Sequence, residues 1–337
     1  MNVSSVKDRL RNYARVVNKP YQEILTYYAL ERTIYRLSVS DYADHFVLKG
    51  GIFLYAIHDK DYSRATTDID IMAQKMTNDA VKMHQIFAEI LSIESDDALT
   101  YDLDTLKVTN ITEFKEYHGL NVSVLSMLEK SKIRITIDIG YDDVIVPGKV
   151  KMTYPTILEL NAPEVFAYSL ESVIAEKFEA IVANGLLNSR YKDFYDICML
   201  ARENKFDGRQ LASAIEETFS HRHTALSSEV SAFGEEFYGD SINQMRWEAF
   251  LKKKKAMLPI LLKETVLTNS RFLMPLVKKL LSGENVEGIC WDNQTSDWIE
   301  KTEDEYDLSE AERAYAEYKI DPVAYSLDEL EKMLDKK

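Results

Sequence analysis

Between Ile133 and Ile139 isoleucine occupies every second position, with Arg134, Thr136 and Asp138 in between. A period of two is that of a β-strand, whose side chains alternate between faces. One face of this strand is therefore built for a core, and the other carries an aspartate. The stretch Thr67–Met72 repeats the device: Ile69 and Ile71 point one way, Asp68 and Asp70 the other. Two carboxylates this close repel each other unless a cation lies between them. If the two strands are neighbours, Asp68, Asp70 and Asp138 converge and offer the hard oxygen ligands that Mg²⁺ prefers. Asp138 is then placed to help deprotonate an incoming hydroxyl. An isolated Asp-x-Asp is more commonly an exposed strand end, so the surroundings have to support the metal reading.

Upstream, Lys49-Gly50-Gly51 lies between an apolar strand-like run (Phe46–Leu48) and a helix-like run (Ile52–Ile57). Glycines at such a junction let backbone N–H groups approach a phosphate, and the following helix N-terminus favours an anion. They serve a plain tight turn equally well. Arg64, four residues before Asp68, suits either a triphosphate or an ordinary loop.

Residues 1–40 carry helical apolar spacing in two segments, and a further strand signal covers Leu120–Leu125. Beyond Pro155 the pattern turns helical. In the run from Glu171 to Ala183, Ile174, Phe178 and Ile181 form one face, with Lys177 at its boundary. Asp193 and Asp196 then share a face of a second helix. Spacing alone makes Lys177 an amphipathic surface residue and Lys192/Asp196 a helix ion pair. The expected division is a mixed α/β part over 1–155, a helical part over 156–282, and an acidic extension over 283–337, with SGENVEG (282–288) as linker.

The net charge of −15 argues against a nucleic-acid partner only if it is evenly spread. It is not: residues 283–337 hold 17 Asp and Glu against 6 Lys and Arg, which leaves −4 for residues 1–282. Basic groups available for RNA phosphates are Arg190, Arg222 between His221 and His223, Arg271, and the run Lys252, Lys253, Lys254 and Lys255, which otherwise reads as a solvated helix face. Only Cys198 and Cys290 are present, without metal-type spacing. That usage predicts a reducing, cytoplasmic setting without disulfides. The N-terminus has no signal-peptide pattern, and no apolar run approaches membrane-spanning length.

Taken in order, the motifs resemble a known family. KGG at 49–51, RATTDID at 64–70, ITIDIG at 135–140, AEK at 175–177 and SRYKDFYD at 189–196 are similar to the pattern of the AbiEii/AbiGii nucleotidyltransferase toxins of type IV toxin–antitoxin and abortive-infection systems. The likeness runs from about residue 20 to 275 and includes YPTILEL (154–160) and TFSHRHT (218–224). It implies an α+β, polymerase-β-like nucleotidyltransferase core, a mixed sheet flanked by helices, followed by a helical domain and an acidic helical tail. It implies Asp68 and Asp70 as the metal pair, Asp138 as the third acid, and Mg²⁺ or Mn²⁺ as cofactor. Lys49, Gly50, Gly51, Arg64 and Thr67 fall on the nucleotide-binding motifs. Lys177 matches the family's essential lysine and Asp193 its essential aspartate, with Lys192 and Asp196 beside them. Gly51 is followed by Ile52 where the wider superfamily often has serine, so backbone amides have to hold the phosphate here.

The resemblance also implies the reaction, transfer of NMP from an NTP to an RNA acceptor. A tRNA 3′ end is expected, with translation blocked in phage defence, and a cognate antitoxin can act without a stable complex. Two rivals remain at this point: a small-molecule transferase of the aminoglycoside-modifying kind, and a catalytically inactive binding protein. The intact carboxylate set argues against the second.

Overall fold

A computed structural model of the chain describes residues 2–58, 66–112, 118–141, 143–254 and 259–320. The N-terminal segments are the two expected helices, α1 (Val3–Val16) and α2 (Tyr21–Ser38). Next come β1 (Phe46–Lys49), α3 (Gly50–Ile57), β2 (Ile69–Ala73), α4 (Ala80–Ser92) and the long strands β3 (Thr100–Thr112), β4 (His118–Leu128) and β5 (Ser131–Tyr141). Short strands β6 (Val150–Thr153) and β7 (Glu164–Ala167) complete one mixed sheet, in the order β3-β4-β5-β2-β1-β7-β6. The sheet thus continues past residue 155, where helix alone was expected: β7 runs parallel to β1. Four residues are too few for a period of two to register in the sequence.

The isoleucine alternation does what its period requires. Ile133, Ile135, Ile137 and Ile139 are buried, and Arg134, Thr136 and Asp138 stand on the other face. Ile69 and Ile71 share the buried face, where α2 packs through Ile34 and Leu37. The helix is anchored there by a buried ion cluster. Asp97 accepts from Arg36 at 2.7 and 3.1 Å and from Arg32 at 3.2 Å, and Tyr28 donates to its carbonyl at 2.7 Å. Burial alone would raise the Asp97 carboxyl, but Arg36 outweighs it and holds it below the usual range. Glu31, equally buried, accepts from the backbone N–H of Ile157 at 2.7 Å and so fixes the YPTILEL segment.

The helical part comprises α5 (Leu170–Asn184), α6 (Tyr191–Glu203), α7 (Gly208–His221), α8 (Glu235–Tyr238), α9 (Ser241–Lys254) and α10 (Leu262–Ser282), with the short strand β8 (Phe206–Asp207) before α7. Its core is aromatic: Phe194 stacks on Phe237 with centroids 5.1 Å apart, and Phe178 meets Phe219 at 5.2 Å. The acidic extension does not begin as a free tail. A hairpin of β9 (Ile289–Asp292) and β10 (Asp297–Glu300) adds to β8, with α11 (Glu303–Ile320) following. Trp291 is fully buried and donates to the Ala201 carbonyl at 2.6 Å, while Trp298 stacks on Phe272. Gly208 permits this docking, since a Cβ there would lie 2.8 Å from the Val286 carbonyl oxygen. Residues 321–337 lie outside the described part. Among the described residues no helix is long and apolar enough to cross a membrane.

Candidate active site

Strands β2 and β5 are parallel neighbours, and Asp70 stands directly opposite Asp138 in their register. Asp68 enters just before β2. Carboxylate oxygens of Asp68, Asp70 and Asp138 all lie within 4.8 Å of one another. Burial raises the Asp70 carboxyl to about 6; Asp68 and Asp138 push the same way, and Lys192 and Lys49 only partly oppose them. Three oxygen-donor groups with uncompensated negative charge suit a hard divalent cation. Asn121, opposite Asp138 on β4, donates to one of its carboxylate oxygens at 2.6 Å and fixes its orientation. The backbone N–H of Thr67 donates to Asp68 at 3.2 Å.

On the other side of Asp70 stands β1, with Lys49 as its register partner. The chain turns from β1 into α3 at Gly50, whose φ of +68° lies in the left-handed region. A Cβ at Gly50 would sit 2.0 Å from an Asp70 carboxylate oxygen. The glycine is thus required twice, by backbone conformation and by contact with Asp70, and Gly51 follows in the first turn of α3.

Lys49 does not point into open space. Its ammonium lies 2.9 Å from Asp143 and 3.3 Å from Glu176. Burial would lower Lys49, yet these two carboxylates outweigh it and keep it charged. Arg222 closes the same network from the helical side, 2.8 Å from Asp143 and 3.1 Å from Glu179. An arginine held by buried carboxylates is not a free phosphate contact, so the reading of Arg222 as an RNA-binding residue is replaced by a clasp between the sheet and the helical part. Sequence reasoning gave no role to Asn121, Asp143, Glu176 or Glu179. Only Glu176 had a local signal, its place in AEK.

Lys177 and Asp193, assigned by resemblance alone, do meet. The Lys177 ammonium lies 3.0 Å from Asp193 and 2.8 Å from Asp196, both fully buried. Asp196 therefore pairs with Lys177, not with Lys192 as helix spacing suggested. Arg190 donates to the second oxygen of Asp193 at 2.6 Å. Burial alone would raise the Asp193 carboxyl, but Lys177, Arg190 and Lys192 together hold it low. Lys192 is exposed in the first turn of α6, close enough to Asp70 to draw its carboxyl down. Lys252 and Lys253 on α9 and Arg271 on α10 are exposed. Arg64 and Lys255 lie outside the described residues, and nothing is described of the Lys254 side chain.

Carboxylates gathered across parallel strands of a mixed sheet, next to a glycine turn that opens a helix, define a site of the nucleotidyltransferase class. The particular family follows from comparison: residues 32–268 match the family described as nucleotidyl transferase AbiEii toxin, type IV TA system, and the chain belongs to it. It is a nucleotidyltransferase of that toxin family, which implies a nucleotide substrate and an antitoxin partner. Among solved structures it is similar to a candidate nucleotidyltransferase from H. pylori, with 18% identity and a TM-score of 0.43, covering 77% of this chain and 97% of that one. JHP933 from Helicobacter pylori aligns at the same identity and TM-score, covering 77% and 94%. No curated protein matches.

Proposed function

We propose that this chain transfers a nucleoside monophosphate from an NTP to the 3′ end of an RNA, a tRNA in particular, and thereby arrests translation during phage infection. The observation that carries the reading is the in-register pair Asp70 and Asp138, joined by Asp68 within 4.8 Å and touched by Gly50. Asp68, Asp70 and Asp138 hold Mg²⁺ or Mn²⁺. Bound there, a pair of such ions supplies charge neutralisation at the phosphates and acidifies the attacking hydroxyl.

The protein's own groups do the rest. Backbone N–H groups at Gly50 and Gly51 and the N-terminus of α3 receive the phosphates. Lys177, positioned by Asp193 and Asp196, and the exposed Lys192 add positive charge along the triphosphate. Asp138, oriented by Asn121, accepts the proton from the incoming hydroxyl. A cognate antitoxin can counter this activity without a stable complex.

The test is to incubate the chain with each radiolabelled NTP, total RNA and a set of aminoglycosides. Label on RNA that disappears with Asp138→Asn, in a variant of unchanged circular dichroism, supports the proposal. Label on the aminoglycosides alone, or undiminished labelling by the variant, refutes it.

A further inference from the structure

In an in-line displacement the attacking oxygen and the leaving pyrophosphate lie on opposite sides of the phosphorus. The strand order converts that requirement into a direction. The glycine turn follows β1, the aspartates stand on β2 and β5, and β4 and β3 lie beyond them. With the pyrophosphate on the β1 side, the acceptor has to arrive over β5, β4 and β3.

The outer face of those strands is continuous with the site. Thr109, Asn121 and Asp138 form one row across β3, β4 and β5, and Lys107, Ser123 and Thr136 form the next. Rows on one face are about 7 Å apart. Arg134 lies one row further, opposite Leu125, and donates to Ser123 at 3.1 Å. Lys107 and Arg134 are exposed. The helices in this region, α2 and α4, pack on the other face: Thr33 of α2 is 2.8 Å from Tyr101, and Phe87 and Ile90 of α4 are buried in the core. Among the described residues, Asp102 stands on the outer face opposite Leu125, and Asp104 is exposed in the irregular stretch that follows. Among the described residues the surface is therefore a hydroxyl- and amide-lined platform leading to Asp138, with Lys107 and Arg134 as the exposed cations nearest to it and Lys132 a row further out. Arg222, by contrast, is committed to carboxylates.

The geometry points to this platform as the acceptor site: the last phosphates of a single-stranded RNA 3′ end pair with Lys107 and Arg134, which delivers the terminal hydroxyl to Asp138. The inference rests on the proposal that RNA is the acceptor. It adds where the RNA lies and which residues receive it.

The experiment compares the full-length wild type with Lys107→Glu/Arg134→Glu, and with the milder Lys107→Gln/Arg134→Gln in case the first fails to fold. Binding of 5′-labelled tRNA is measured by filter retention from 50 to 200 mM salt, together with the KM for tRNA and for NTP. Each lost phosphate contact flattens the slope of log K against log salt by about 0.7 on a single strand. Both variants are expected to show a KM for tRNA raised at least about tenfold and a slope flatter by about 1.4, with the KM for NTP unchanged. Unaltered tRNA affinity and slope in a folded variant would overturn the platform, as would a KM for NTP that rises in step with that for tRNA. A wild type that binds and labels no RNA overturns the RNA-acceptor reading itself, and that outcome is visible before any variant is made.

Discussion

Replacing Asp70 by asparagine should stabilise the metal-free protein while abolishing transfer. The folded protein raises the Asp70 carboxyl from 3.8 to about 6. At a pH well above both values this corresponds to roughly 3 kcal/mol of disfavoured charge. Asparagine keeps the shape and removes the charge. Because the folded value lies above the unfolded one, the neutral acid contributes its full stability below pH 3.8, and that contribution is lost as pH rises through about 6. The advantage of Asp70→Asn over wild type is therefore absent near pH 4, grows through pH 6 and is largest at pH 8. With an m-value of about 3 kcal/mol per molar urea, the midpoint at pH 8 in EDTA should rise by up to about 1 M. Excess Mg²⁺ should reverse the ranking. A thousandfold excess over Kd adds about 4.1 kcal/mol to a protein that binds it, more than the roughly 3 kcal/mol at stake, and the variant lacks the central ligand. The assay is urea denaturation at pH 4, 6 and 8, with EDTA and with Mg²⁺. An asparagine variant no more stable than wild type at pH 8 in EDTA, or an advantage independent of pH, refutes the claim that repulsion at this triad is uncompensated.

Gly50→Ala forces a non-glycine residue to φ +68° and places a methyl 2.0 Å from an Asp70 oxygen. It should lose Mn²⁺ binding, read by electron paramagnetic resonance, and about 1–3 kcal/mol of stability from the backbone alone. Lys177→Met strands the buried Asp193 and Asp196 and should destabilise the fold by about 3–5 kcal/mol, measured by urea midpoint. At the opposite end, a chain ending at residue 302 should melt close to the full-length protein. One ending at 282 loses the hairpin and the buried Trp291, and should fall by about 3–5 kcal/mol. Equal melting temperatures for the two truncations would contradict the docked hairpin.

What was legible in the sequence was whatever a local period encodes. The alternation at Ile133–Ile139 gave β5, its faces and the side on which Asp138 stands, and the two aspartates of Asp68-Ile69-Asp70 fell on one side for the same reason. Pairing is a non-local property. Nothing near Asp138 announces Asn121 across the ladder, and nothing near Lys49 singles out Asp143, since the sequence distance of 94 residues is closed only by the sheet. For the same reason Arg222, between His221 and His223, read as a basic group available to RNA, whereas it is held between Asp143 and Glu179. Helix spacing assigned Asp196 to Lys192, four residues away, but burial favoured a partner from α5, because a fully buried carboxylate needs a cation that is itself shielded from water. The hairpin at 289–300 was hidden in a segment that stood out for its acidic charge, although it carries Trp291 and Trp298.

The three charged clusters around the site balance differently, and that difference locates the chemistry. Lys177 and Arg190 both pair with the buried Asp193, and Lys177 also with Asp196, so the two carboxylates are held by cations at the edge of the site. Lys49 and Arg222 face Asp143, Glu176 and Glu179 in a network that joins two parts of the fold. At Asp68, Asp70 and Asp138, Lys192 and Lys49 oppose the charge only in part: burial, Asp68 and Asp138 together push the Asp70 carboxyl up to about 6. A folded protein keeps such an arrangement against its own stability where a bound cation relieves it in use. The overall charge of −15 conceals this: most of it lies in the C-terminal extension, while the outer face of β3 and β5 beside the aspartates presents Lys107 and Arg134. For the proposed RNA acceptor, electrostatics at the site and not the net charge of the chain governs approach, so salt should weaken RNA binding despite an acidic isoelectric point.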